Sequence, residues 1–322
     1  MNNILITSAG QRVSLVRAFQ KEIKKIDENG KVFTVDLNPV LAPACHVSDG
    51  YKQINRVTES NYIANLLEIC KSWNIKIIIP TIDTELLILA KHKSFFLENG
   101  IIPIISSENF IEKCRDKRII NKFFKEKNIE IPKQFDKDNM SFPLFIKPYD
   151  GSLSKDIFLI KEPSELTDYH MQNPKLMFME YIDQTIYDEY TVDTYYDKKG
   201  ELKCVVPRKR IFVRAGEVNK GVTQKNEIEN YVRQNIPQID GAVGCLTMQF
   251  FFHPGNKRII AIEINPRFGG GYPLSYLAGA NYPGWILKEY LLGEHISYFD
   301  GWENNLLMLR YDDEVLIHNY EG

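Results

Sequence analysis

The sequence has no charge excess of either sign: 40 Lys and Arg stand against 42 Asp and Glu, a formal net charge of −2. A chain so balanced has no global field to hold nucleic acid or an anionic membrane, which leaves only local patches. Long apolar runs are missing too. Stretches such as 77–79 and 86–90 fall far short of the roughly 20 residues that cross a bilayer. The start, Met1-Asn2-Asn3 before Ile4-Leu5-Ile6, has neither the basic segment nor the long apolar segment of a secretory leader. Five cysteines (Cys45, Cys70, Cys114, Cys204, Cys245) are scattered and never form a C-x-x-C pair. They read as free thiols, and the expected compartment is a reducing cytoplasm. The six histidines show no metal-binding spacing, and neither G-x-S-x-G nor H-E-x-x-H occurs.

What is present is an ordinary globular composition, 44% hydrophobic and 25% charged over 322 residues. That length corresponds to two or three domains at about 150 residues each and buries a core without disulfide or metal staples. The first hundred residues alternate strand and helix. Apolar strands are expected at 3–7, 31–36, 75–80 and 101–105, with helices at 11–27, 61–73 and 84–98. Near-continuous apolar strands between helices indicate an open parallel sheet covered on both faces. A helix over 108–127 follows. From Pro143 the pattern changes to short strands and turns (144–147, 157–161, 176–182, 190–196, 202–206), which fits antiparallel sheet. A helix at 227–236, a strand pair at 246–252 and 258–264, and one long helix over 273–292 complete the reading.

The chemistry concentrates in 246–267. Alternation along a strand places Glu263, Asn265 and, if the chain stays extended, Arg267 on one face, with Ile260, Ile262 and Ile264 on the core face. On the partner strand Met248, Phe250 and Phe252 are apolar and Gln249 opposes them. An odd-length loop of three or five residues would bring Gln249 and Glu263 onto the same face. Three oxygen-bearing side chains suit a hard cation such as Mg²⁺, but one carboxylate and two amides hold it poorly unless a nucleotide triphosphate supplies further oxygens. A solvated hairpin is the bland alternative, disfavoured by the E-x-N-P-R continuation.

The segment Ile262-Glu263-Ile264-Asn265-Pro266-Arg267-Phe268-Gly269-Gly270 resembles the metal-binding segment of the ATP-grasp superfamily, most of all the carbamoyl-phosphate-synthase large-subunit type. The resemblance extends in order over nearly the whole chain. It implies an N-terminal α/β domain with an open parallel sheet (1–107), then a two-part α+β nucleotide-binding fold, a small subdomain (108–182) and a large one carrying the metal site (183–322). It assigns Lys117 and Lys147 to the phosphates of ATP. Met179-Glu180-Tyr181-Ile182 becomes the hinge that reads adenine, and Glu189 the ribose ligand. Mg²⁺, with Mn²⁺ as the substitute, falls to Gln249, Glu263 and Asn265.

Between Lys147 and Ile157 the family carries a glycine-rich loop over the phosphates. Here Gly151 is its single glycine, and Ser152 and Ser154 would donate hydroxyl hydrogen bonds in its place. In the basic cluster 207–214, Arg208, Arg210 and Arg214 share one face if the segment is a strand, and would converge on an anion. A solvated, charge-guarded edge is the alternative. Arg208 and Arg210 are then expected at the nucleotide, and Arg214 with Arg267 at the reacting groups. The turn Thr7–Arg12 follows a strand and opens a helix, a place where anions meet backbone N–H groups, and Thr81–Glu85 would lie at the same sheet edge.

The resemblance implies an ATP-dependent carboxylate–amine ligase working through an acyl phosphate on small-molecule carboxylate and amine substrates. Its rivals are a kinase-like enzyme stopping at a phosphorylated product and a silent ATP-binding regulator. A full carbamoyl-phosphate synthase is not the expected reading, since these 322 residues have room for one nucleotide unit, not two. A homodimer is the default expectation.

Overall fold

The computed structural model describes residues 2–151, 156–214 and 216–320. The first part runs β1 (Asn3–Thr7), α1 (Val13–Ile23), β2 (Val32–Asp36), α2 (Pro43–Val47) and β3 (Tyr51–Gln53). It continues with α3 (Tyr62–Ser72), β4 (Ile75–Ile79), α4 (Asp83–Lys91), α5 (Lys93–Glu98) and β5 (Ile102–Pro103). Its five strands form a parallel sheet in the order β3-β2-β1-β4-β5. Residues alternate between two cores: Leu5, Val35 and Ile78 pack toward α3 and α4, Ile4, Ile6, Ile77 and Ile79 toward α1. Burial on both faces is why β1, β2 and β4 are mostly apolar, whereas the edge strand β3 is exposed.

The second part comprises α6 (Glu108–Arg115), α7 (Lys117–Glu126), β6 (Gln134–Phe135), β7 (Leu144–Pro148), β8 (Phe158–Ile160), α8 (Asp168–Gln172) and β9 (Leu176–Glu180). Its sheet is antiparallel, in the order β6-β9-β7-β8. The third part has β10 (Asp188–Tyr196), β11 (Leu202–Arg214), β12 (Glu217–Thr223), α9 (Glu227–Asn235), β13 (Gly244–Phe252) and β14 (Ile259–Asn265). It ends with α10 (Tyr272–Leu277), α11 (Tyr282–Leu291) and β15 (Leu307–Leu309), and its sheet order is β14-β13-β10-β11-β12-β15. The first and third parts share one core. Ile4, Val16 and Phe19 belong to the same cluster as Tyr195, Cys204, Phe268 and Tyr282.

Three helices expected to be continuous are broken. The 84–98 helix divides at His92. The 108–127 helix stops at Asp116, which is extended and whose side chain accepts from Arg118 N–H, so it caps a new helix. The 273–292 helix divides where Gly279 takes φ +107° and Asn281 caps Gly284 N–H. The expected strand 202–206 is instead a 13-residue strand that carries the basic cluster along it.

Candidate functional site

Strand register builds the site's floor. Gln249 pairs with Glu263 and Thr247 with Asn265, while Thr191 lies between Gln249 and Arg208. Directly opposed residues point the same way, so Glu189, Thr191, Gln249, Glu263 and Asn265 share one face of the six-stranded sheet. The other face is apolar, with Tyr190, Val192, Met248, Phe250 and Ile264 in one cluster. Asn265 Nδ2 donates to Glu263 Oε1 at 2.9 Å, which orients the amide and leaves its oxygen available for a cation.

Two details of the hairpin differ from expectation. Its loop spans 253–258, an even length, and Phe252 opposes Ile259. A register shift between Gln249 and Phe250 restores the phase, because Ile262 is the extra residue. The same bulge moves Ile260 out of the expected core row. Ala261 takes the core position, and Ile260 packs with Ile182 and Tyr187 instead. The hinge therefore gains an apolar floor.

Facing this sheet are the two lysines. Lys147, near the end of β7, is only 8% exposed. Burial drives its ammonium down to about 8, against the pull of Glu263 and with a push from Lys117. A lysine so placed is a cation short of an anion. Lys117 is the first residue of α7, a position created by the break at Asp116. Its N–H donates to Tyr149 O at 2.9 Å and its Nζ to Gly151 O at 2.6 Å, which ties the helix start to the loop after β7. Arg118 lies over the Tyr149 ring at 3.6 Å and reinforces the tie. Ser152 and Ser154 lie outside the described residues.

At the hinge, Glu180 is already engaged. Its carboxylate meets Arg258 at 3.2 and 3.4 Å and accepts from Lys133 N–H at 3.0 Å. The acidic group expected to read adenine is thus held in a structural ion pair, and Tyr181 and Ile182 follow it on the chain. Glu189 faces Arg210 at 3.3 Å, and burial raises its carboxyl despite that cation.

The expected convergence of three arginines does not form. Arg208 is turned inward, 1% exposed, and makes two hydrogen bonds to the buried Asp193 at 2.8 and 3.1 Å. Thr247 and Ser275 also donate to Asp193, so this pair is a packed polar network beside the site on the same face of the sheet. Arg214 is exposed and paired with Asp312, because the strand shifts register between Arg210 and Phe212 and again before Val213. Arg210 alone stays beside the Glu189–Thr191 row, its Nη1 donating to Thr191 Oγ1 at 3.4 Å.

Arg267 lies where the first part of the chain closes the site. Its Nη2 donates to Asp83 Oδ2 at 2.5 Å, and its Nη1 to Phe268 O at 3.2 Å. Asp83 is the first residue of α4, just after β4, at the sheet edge expected for 81–85. Asp83 and Arg12 lie in the two strand-to-helix turns singled out in the sequence, but their side-chain partners, Arg267 and Glu217, are distant along the chain, so the turns are their only local signal.

Comparisons with known proteins agree on the fold. A PylC-like N-terminal domain model matches residues 4–105, and a model described as ATP-grasp in the biosynthetic pathway with Ter operon matches 172–308. No match is found among curated protein sequences. Among solved structures, biotin carboxylase from Campylobacter jejuni in complex with β,γ-ATP superposes with a TM-score of 0.73 at 13% identity, covering 95% of this chain and 74% of that one. The biotin carboxylase domain of Hydrogenobacter thermophilus 2-oxoglutarate carboxylase, with MgADP, ADP and bicarbonate, gives 0.71 at 15% identity, covering 94% and 73%. An L-amino acid ligase from Bacillus licheniformis gives 0.62 at 16%, covering 90% and 74%. The parallel sheet followed by two antiparallel sheets gives this chain the ATP-grasp fold, and an ATP-grasp family model matches residues 172–308.

Proposed function

We propose that the chain is an ATP-dependent carboxylate–amine ligase forming ADP and phosphate. The observation that carries this reading is the buried Lys147, short of an anion, facing a row of Gln249, Glu263 and Asn265 oxygens. Those donors fit Mg²⁺, or Mn²⁺, when triphosphate oxygens complete the shell, since they supply a single carboxylate. When bound, the metal neutralises phosphate charge.

The chain's own residues then divide the work. Lys117 and Lys147 receive the phosphates, and the hinge at 180–182 with Ile260 and Tyr187 receives the base. Glu189 is placed for the ribose hydroxyls. A substrate carboxylate oxygen attacks the γ-phosphorus, the bond to the bridging oxygen of ADP breaks, and an acyl phosphate forms. An amine adds to its carbonyl, loses a proton and expels phosphate to leave an amide. Positioning and charge stabilisation dominate such transfers. Arg267, oriented by Asp83, is the group for the transferred phosphoryl and the later oxyanion. The ligase name of the Bacillus licheniformis neighbour supports the amine as acceptor.

The test is ADP release with Mg·ATP against pooled carboxylic acids, with and without pooled amines, and hydroxylamine as a trap. Acid-dependent release with hydroxamate is the expected result. Nucleotide binding without release from any pool would instead indicate a regulator.

A further inference from the structure

Beside Arg267 lies a crevice that the ligase chemistry does not use. It is lined by Gln11 and Arg12 after β1, by Gly269 and Gly270 after β14, and by Glu217 and Arg310 from β12 and the segment after β15. Its volume is about 40 Å³, room for one charged terminal group and not for a whole metabolite. Three regions of the chain thus meet around a space the size of a carboxylate.

The charges there do not balance. Arg12 and Arg310 share one carboxylate: Glu217 stands 3.7 Å from Arg12 Nη1 and 3.2 Å from Arg310 Nη1. Arg310 has a second partner in Val218 O at 3.1 Å. Among the described residues, Arg12 has no ion-pair partner nearer than that 3.7 Å, although its side chain is only 18% exposed. Burial lowers its guanidinium from the ordinary value against the pull of Glu217, and Arg267 and Arg310 push it the same way as burial. The Arg267–Asp83 pair next door is neutral, so the crevice keeps an uncompensated positive charge. Buried charges of this kind are costly unless paired.

The backbone is shaped to keep the arrangement open. A Cβ on Gly270 would lie 2.2–2.4 Å from the Glu217 carboxylate, so the glycine leaves the space in which that carboxylate rests between the two arginines. Glu217 itself is 47% exposed at its side chain and ends a strand, so it can swing away when another anion enters.

We propose that Arg12, with Arg310, binds an anionic group of the substrate other than the carboxylate that is activated, and that Glu217 holds the place of that group in the free protein. The inference rests on the ligase reading and names its substrate class: acids carrying a second carboxylate or a phosphate. Arg12 is a specificity residue, since Arg267 serves the reacting centre. A guanidinium is suited to this because it meets a carboxylate or phosphate with two parallel N–H donors.

The test uses the full chain saturated with Mg²⁺ and a non-hydrolysable ATP analogue, followed by melting temperature. Acetate, succinate and inorganic phosphate are added in separate arms. Succinate or phosphate, but not acetate, should raise the melting temperature of the wild type, and the arm that responds identifies the second group. In R12Q that anion-dependent rise should be lost while the shift from the nucleotide analogue persists, and R12K should recover part of it. R12Q without anion should melt no lower than wild type, because it removes an under-paired buried charge. Equal anion shifts in R12Q and wild type, equal shifts by acetate and succinate, or no shift by any anion would overturn the proposal. A missing nucleotide shift would overturn the ligase reading separately, and the anion arms repeated without nucleotide would still decide the role of Arg12.

Discussion

The polar face of the six-stranded sheet has a closed end and an open end, and both bury cations. At the closed end Arg208 meets Asp193, which also accepts from Thr247 and Ser275, and α10 covers the network. At the open end Lys147 is nearly as buried, yet among the described residues no ion pair engages it. One cation is matched by a carboxylate of the same sheet. The other is left to be matched from outside. Residue type and burial are the same in kind at the two ends, so it is partnership that separates structure from function.

Removing the partner at the closed end should break the fold. Asp193→Ala leaves Arg208 buried without its carboxylate, and the expected loss is about 3–5 kcal/mol, read by urea unfolding. A loss under about 1 kcal/mol would mean that water already supports Arg208.

At the open end the largest effect should fall on activity. Arg267→Ala should cut acid-dependent ADP release by about 10²–10³-fold, the scale of losing one transition-state donor, while the melting temperature changes little. Near-normal turnover would remove Arg267 from the reacting centre. Asp83→Asn should fall between the two, because it loosens Arg267 without deleting it.

The sharpest contrast is Lys147→Met. Burial brings the Lys147 ammonium down to about 8 in the folded chain, so below pH 8 its charge opposes folding by up to about 3 kcal/mol. The unfolded chain binds more protons between about 8 and 10.5, and stability gained from this group therefore rises with pH across that window. Lys147→Met should be more stable than wild type at pH 7 and should abolish nucleotide binding. A variant that is destabilised at pH 7 would place Lys147 in the structural class with Arg208.

Much of this was legible in the residues. The near-continuous apolar runs of β1, β2 and β4 announced a sheet buried on both faces, and Glu263-x-Asn265-Pro266-Arg267 announced the row proposed as the site's floor. Local breaks were less legible. Asp116 and Asn281 carry ordinary helix-capping chemistry, but each is embedded in a periodic pattern that continues across it. The bulge at Ile262 leaves no mark in a run of isoleucines, where a one-residue slip costs nothing in composition. The fate of the arginines depended on register. Arg208 and Arg214 look alike in sequence, and only pairing with β10 and β12 sends one to Asp193 and the other to Asp312. Contacts such as Arg267 with Asp83, 184 residues apart, have no local signature at all.

The most direct measurement is calorimetry of Mg·ATP binding at pH 8 in two buffers of different ionisation enthalpy. With the Lys147 ammonium at about 8 in the free protein, roughly half of the molecules lack its proton, and binding a polyphosphate should restore it. The expected result is one-site binding with net proton uptake in the wild type, and no binding heat with Lys147→Met. Binding without proton uptake, or no binding at all, would contradict the assignment of the open end to a nucleotide.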